Sequence, residues 1–452
     1  MKKQETFFRM VCNLAIPVAL QSMLQASFGI VDQIMIGQLG SVSVAGVGLA
    51  GKFFSIFSVL ISAVGVVAGI MISQYMGQDN PLEVRRSFYV NLGGVTAIAV
   101  VFSIVCLVFP QQIMSLYTKD SSTLEVAAEY LFIVSGSFLL MAGSSMISTL
   151  FRCMERAQLP LYANMVSLLL NTGLNYLLIF GKFGLPAMGA KGAAVATLFS
   201  QLVNFIVILI MLSKYKDTIR ISRDSNESLP PFHWRQYVQM LLPILVCEFM
   251  WSLGENVYAA IYGNMGTEAC AAMTLTNPVQ GLTIGALCGL SQAASVIVGK
   301  KLGTKEFDEA YDASKKLIRY GVIGSLLLSA IIVITSQYYV QIYQVEESVK
   351  LLTQQILWAY AVLAPFKVLN MIVGGGIIRS GGKTDYVMYI DMIGTWCFGV
   401  PLGFLAAFVL KLPIPLVYFM LSLEECVRLA IAIVVFRKKK WMRSLQVKTN
   451  ES

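Results

Sequence analysis

The chain has 452 residues, 56% of them hydrophobic and only 13% charged, with a net charge of +9. That balance excludes a soluble enzyme and is typical of a polytopic membrane protein. A single histidine, His233, and eight cysteines without a CxxC pair argue against zinc or histidine-based catalysis.

Apolar runs of about 20 residues, the length needed to cross a bilayer as a helix, recur along the chain. Twelve spans are predicted, at 11–33, 46–75, 89–109, 126–150, 162–180, 191–212, 237–258, 272–299, 317–335, 352–378, 386–408 and 414–436. MKKQETFFRMVCN leads into the first without a small-residue cleavage site, so no removable signal peptide is expected. Of the 34 Lys and Arg, 26 fall in alternate breaks, while the opposite side holds only Lys119, Lys182, Lys191, Lys350 and Lys411. The positive-inside rule then places both termini and the middle loop in the cytoplasm, which requires an even number of spans. This distribution, rather than a nucleic-acid partner, explains the basic excess.

Span 1, within IPVALQSMLQASFGIVDQIMIGQLG, carries one acid, Asp32, with Gln21 and Gln25 on the same helix face. An Asp at mid-bilayer costs about 2.5–3.5 kcal/mol, so the stripe should face a bundle interior or a watery cavity. Pro17 removes a backbone hydrogen bond one turn earlier and allows a bend. The plainer reading is that Asp32 ends the helix near the outer surface.

Span 5 carries Asn164, Asn171 and Asn175 on one face. With a carboxylate such amides form a hard oxygen site for a small cation, or bond to a protonated Asp; they serve equally as interhelical glue. Thr197 of span 6 adds a hydroxyl, by itself a weak signal.

The polar segment 213–236, with Pro230 and Pro231, is the natural linker between an N-lobe at 1–212 and a C-lobe at 237–436, followed by a basic cytoplasmic tail at 437–452. The halves repeat: a constant offset pairs Pro17 with Pro243, Gly37 with Gly263, Gly40 with Gly266, Gly77 with Gly303 and Glu83 with Glu309. Copies separated by six spans have the same orientation, a parallel repeat with two lobes facing across a cleft.

Span 7 places Glu248, Ser252 and Glu255 on one face. Two acids in one span point to a cavity that draws a cationic substrate or titrates. Trp251 and Tyr258 lie elsewhere on the helix, where aromatics either stack on cations or simply pack. Glu424 and Arg428, four apart, read as a structural pair; Lys367, beside Pro365, needs a partner that the sequence does not name. No GxxxxGK[ST] loop or HExxH motif is present.

IPVALQSMLQASFGIVDQIMIGQLG, SQYMGQ, LNTGLNYLLIFG, GAAVATLFSQ and AIYGNMGTEACAA, in this order, resemble the multidrug and toxic compound extrusion (MATE) family in its prokaryotic NorM/DinF-like form. The resemblance implies an all-α fold of twelve transmembrane helices in two pseudo-symmetric six-helix lobes, V-shaped with a central cleft. It implies a non-enzymatic antiporter of the plasma membrane that exports amphipathic, often cationic compounds in exchange for H⁺ or Na⁺. No cofactor is expected beyond the coupling ion, and the partners are the lipid bilayer and small organic substrates, with the chain acting as a monomer. Asp32 matches the family's first-helix acid, Pro17 the proline at its bend, Asn171 and Asn175 its polar pair, and Thr197 its hydroxyl. Asp32, Asn171 and Asn175 become metal ligands only if the ion is Na⁺. The expected substrate cavity takes Gln21, Gln25, Glu248, Trp251, Ser252, Glu255 and Tyr258.

Asn175 stands where one branch has Asp, so a relay through two N-lobe carboxylates does not carry over. Nor does a C-lobe ion site, because Glu248 and Glu255 lie off that branch's position and span 10 offers Lys367 instead of an acid. Two rival functions stay open: a lipid or lipid-linked precursor flippase, although no Arg lies within the spans before Arg152, and an intramembrane enzyme pairing Asp32 with Glu248 or Glu255.

Overall fold

A computed structural model describes residues 2–184, 186–215, 232–343 and 345–445. The expected linker therefore falls largely outside the described residues, as does the end of the tail. Among the described residues the chain is helical, with no strand. The first half contains α1 (Lys2–Gly37), α2 (Ser41–Gly77), α3 (Pro81–Val108), α4 (Pro110–Ser115), α5 (Ser121–Ser135), α6 (Phe138–Cys153), α7 (Gln158–Phe180) and α8 (Ala190–Lys214). The second half contains α9 (Trp234–Gly263), α10 (Thr267–Gly303), α11 (Phe307–Gln341), α12 (Glu347–Asn370), α13 (Thr384–Met392), α14 (Val400–Phe404), α15 (Ile414–Ser422) and α16 (Glu424–Arg437).

Ten helices among the described residues are long and apolar enough to cross a membrane, and α5 with α6, bent by 50° at their junction, passes the same test as a pair. The bend falls at Ser135-Gly136-Ser137, where both serine hydroxyls bond back to carbonyls three residues earlier, Phe132 at 2.6 Å and Val134 at 2.7 Å. Such bonds compete with the helical ladder, and glycine beside serine yields most easily. The twelfth apolar stretch is split at Leu423, whose carbonyl accepts from Cys426 N in a tight three-residue turn. By contrast α1 runs unbroken through Pro17.

The repeat shows in how the helices end. α1 and α9 stop at Gly37 and Gly263, α2 and α10 at Gly77 and Gly303. Between each pair sits a glycine with φ of +93° (Gly40) or +115° (Gly266), where a side chain would be strained.

Contacts divide the chain into two units. One comprises Met23–Ile72 and Asp79–Leu229. Its centre includes a stack of Phe57 on Phe138 at 4.4 Å, and a smaller cluster of Met35, Ile179 and Ala193 lies beneath Asp32's turn of α1. The other unit comprises Met1–Ser22, Ser73–Gln78 and Pro230–Ser452. A buried cluster there gathers Tyr258, Tyr262, Tyr360 and Tyr418 with aliphatic side chains from α9, α10, α12 and α15.

Three π-helical stretches widen this second unit, Met371–Ile378 after α12 and Ile393–Gly399 and Leu405–Val409 on either side of α14. The stretch Ile393–Gly399 lies where backbone must admit bulky polar groups: Gly394 packs on the Arg428 side chain, and Gly399 on Tyr258 and Glu424. Widened turns of this kind are common at functional sites.

Candidate functional site

The polar face of α7 is divided between two tasks. At one end Asn164 accepts from Asn204 Nδ2 at 3.2 Å, Ser167 donates to the Ser200 carbonyl at 2.8 Å, and Asn171 Nδ2 reaches Ser200 Oγ at 3.4 Å. These bonds hold α7 to α8. Asn175, at the other end, turns to α1 and donates from Nδ2 to Asp32 Oδ1 at 2.8 Å and to Asn171 Oδ1 at 3.3 Å. Asn175 is 2% exposed and Asp32 half-buried, so the pair sits inside the unit.

That geometry leaves two oxygens uncommitted. Asn175 Oδ1 is buried without a hydrogen-bond partner, and Asp32 Oδ2 accepts none among the described residues. A buried carbonyl oxygen beside a carboxylate suits a proton on the acid or a small hard cation between them. Thr197 does not bond to Asp32: its hydroxyl donates to the Ala193 carbonyl at 2.9 Å. Tyr130 of α5 lies close to Thr197 and within electrostatic range of Asp32. Nothing in the spacing of α5 singles out this tyrosine.

The second unit holds a denser network. Arg428 of α16 pairs with Glu424 at 3.4 Å, Glu425 at 3.8 Å and Asp391 of α13 at 3.9 Å, and bonds to Thr395. Tyr258 of α9 donates to Glu424 at 2.5 Å, and Asn370 donates to Glu425 at 2.8 Å. Arg379 is turned onto Cys247 and Glu248, and Cys247 donates to Asp391 at 3.0 Å.

Two cavities border this network. One of about 300 Å³ is lined by Glu248, Trp251, Arg379 and Asp391 among others; the other, of about 280 Å³, by Glu255, Tyr258 and Glu424. The expected face of α9 is thus split, Glu248 to one cavity and Glu255 to the other. Ser252, Gln21 and Gln25 line neither.

A family model described as MatE matches the chain twice, over residues 17–177 and 243–405. The chain belongs to the MatE family. Both matches begin at the prolines paired by the internal offset, Pro17 and Pro243. MatE proteins are membrane transporters and not enzymes, in keeping with the multi-pass architecture.

Among curated relatives, the MatE chain is 27% identical to a probable multidrug resistance protein NorM of Thermotoga maritima, covering 95% of this chain and 92% of that one. It is 20% identical to an uncharacterized transporter, YisQ, of Bacillus subtilis, over 95% and 94%. Its fold matches a Vibrio cholerae MATE transporter at TM-score 0.85 and 17% identity, over 97% and 98% of the two chains. An outward-facing multidrug resistance MATE family transporter also matches at 0.85 and 18% identity, over 95% of each. At these identities the structural likeness is one of fold alone.

Three members of the C-terminal network have no role that the sequence assigns, although Asp391 and Glu425 stand out in it as charges within or at the ends of spans. Arg379 counts in sequence as a loop charge, yet its side chain is only 13% exposed and faces α9. Asp391 stands alone in apolar text and Glu425 follows Glu424 directly; contact with Arg428 gives both a role. Their common signal is cost, since charge inside a span is rare without a partner.

Proposed function

We propose that this MatE chain is a secondary antiporter of the plasma membrane, with cytoplasmic termini, that exports amphipathic, often cationic organic compounds in exchange for inward H⁺ or Na⁺. One observation carries the reading: the half-buried Asp32 and the buried Asn175 form a pair with two uncommitted oxygens. The names of relatives such as the multidrug resistance protein NorM support the substrate class. The chain acts as a monomer.

Coupling follows from charge. A cation reaching Asp32 neutralises it, weakens the Asn175 bond and allows α1 to bend near Pro17, which lowers affinity for the exported compound. Asn171 positions Asn175, and Tyr130 with Thr197 bounds the site on its α8 side. Glu248 and Trp251 of α9 offer an acid and an aromatic face to an organic cation in the 300 Å³ cavity of the second unit. One charge crossing 100 mV yields about 2.3 kcal/mol, enough for roughly 40-fold accumulation of a neutral compound.

The test is dye efflux from vesicles containing purified protein, driven by a Na⁺ gradient alone and then by a pH gradient alone. Efflux under one gradient supports the reading, and the gradient that works names the ion. Efflux under neither contradicts it.

A further inference from the structure

We propose that a third cavity, of about 680 Å³ at the start of α9, binds a phosphate group, carried by the headgroup of an anionic lipid or by a small soluble phosphate ester. Binding there does not depend on the antiport reading above.

The cavity lies in the second unit, where the starts of α9 and α13 meet the segment that follows α16. Three cations line it: Arg235 of α9, Lys383 just before α13, and Arg443 of the segment. Among the lining residues one acid faces them, and Asp385 reaches Lys383 at 4.0 Å, the outer limit of an ion pair. The Arg235 and Arg443 guanidinium groups make no hydrogen bond or ion pair among the described residues. Like charges gathered in one concavity repel, and a phosphate relieves that repulsion while accepting paired bonds from each guanidinium fork.

The backbone favours the same ligand. α9 follows His233 and α13 follows Lys383, and neither helix has a side chain capping its first N–H groups. Free N–H groups and the positive ends of two helix dipoles add to the cationic side chains. The wall is also held in place. Thr384 Oγ1 donates to the Met240 carbonyl at 2.9 Å, tying the two helix starts together. Trp441 is fully buried, Gly381 packs on its carbonyl, and Leu445 N bonds to Gln74, so Arg443 sits between two anchored residues.

The lipid is the favoured source. Trp234, Val238 and Leu242, spaced by four along α9, are exposed and form an apolar stripe suited to acyl chains. Tryptophan marks the boundary between hydrocarbon and headgroups, which sets the adjacent Arg235 at phosphate depth.

The experiment is calorimetric titration of the full-length protein in neutral detergent with four probes: dioctanoyl-phosphatidylglycerol, phosphatidylcholine of the same chains, glycerol 3-phosphate and inorganic phosphate. Phosphatidylglycerol should bind about tenfold or more tightly than phosphatidylcholine, whose ammonium is brought toward the same cations. Arg235→Gln with Arg443→Gln should erase that preference in protein whose unfolding midpoint is unchanged. Arg235→Lys with Arg443→Lys should keep part of it, and Lys305→Gln, at an exposed position outside the cavity, should keep all of it. Tighter binding of phosphatidylglycerol than of glycerol 3-phosphate assigns the lipid source; equal binding, lost in the same Gln variant, assigns the soluble one. The proposal is overturned if no anionic probe binds more tightly than phosphatidylcholine, if the double Gln variant binds as wild type does, or if Lys305→Gln weakens binding as much, which would leave net charge as the cause.

Discussion

Gly77 and Gly303 make the same contact with exchanged partners. A β-carbon on Gly77 would strike the carbonyl of Lys300, and one on Gly303 would strike the carbonyl of Gln74. Gln74 and Lys300 are separated by the same offset as the two glycines, so this crossing of the ends of α2 and α10 obeys the internal repeat atom for atom. Both obstacles are backbone, which has little room to shift. Gly77→Ala or Gly303→Ala should each destabilise the protein by about 1–3 kcal/mol. Gly37→Ala, with nothing within 4 Å of its β-carbon, serves as the neutral control. Thermal unfolding in detergent reads the difference, and equal midpoints for all three would refute the close crossing.

The split along α7 predicts a split in phenotype. Asn164→Leu removes a bond between α7 and α8 and should cost about 0.6–2 kcal/mol of stability while leaving ion-driven efflux measurable. Asn175→Leu takes away the Asp32 partner and should abolish efflux in folded protein. Parallel unfolding and efflux measurements on the two variants decide it; matching phenotypes would mean that the whole face is structural glue.

The sequence shows this face but not its division. Asn164, Asn171 and Asn175 share one helix side, so a polar contact was legible; that two of them answer to α8 and one to α1 depends on which helix arrives at each level. The helical fold and its repeat were readable because the bilayer enforces a uniform hydrophobic length and glycines mark corresponding ends. The bend at Gly136 was less visible, because an uninterrupted apolar run does not reveal where serine hydroxyls compete for carbonyls.

The C-terminal segment departs most from its sequence signature. RKKKWMRS reads as a basic tail, yet Trp441 is fully buried, and Leu445 N donates to Gln74 Oε1 at 2.7 Å. Gln78 Nε2 bonds to Ser444 Oγ at 3.1 Å and to the Leu445 carbonyl at 3.0 Å. These glutamines belong to SQYMGQ at the end of α2. Trp441→Ala should therefore cost about 3–5 kcal/mol, the loss expected for a buried large aromatic. Thermal unfolding of this variant beside Lys440→Ala measures it; an unchanged midpoint would mean that the segment is a solvated tail after all.

Arg428 faces three acids, so its removal should be among the most damaging single changes in the second unit. Arg428→Met should destabilise by about 3–5 kcal/mol, because it leaves buried carboxylates uncompensated. Neutralising an acid in the same chain, as in Arg428→Met with Glu424→Gln, should recover part of that loss. A double-mutant comparison of unfolding midpoints checks it, and strict additivity would show that Glu424 and Arg428 do not interact.

The most direct test concerns Asp32. Vesicles holding equal amounts of folded wild-type and Asp32→Asn protein are loaded with dye, and efflux is followed under the ion gradient that drives the wild type. Asp32→Asn keeps the shape of the side chain but can neither carry the charge nor take up a proton, so exchange should fall to the level of empty vesicles. Undiminished ion-driven efflux by Asp32→Asn would show that coupling resides elsewhere in the molecule.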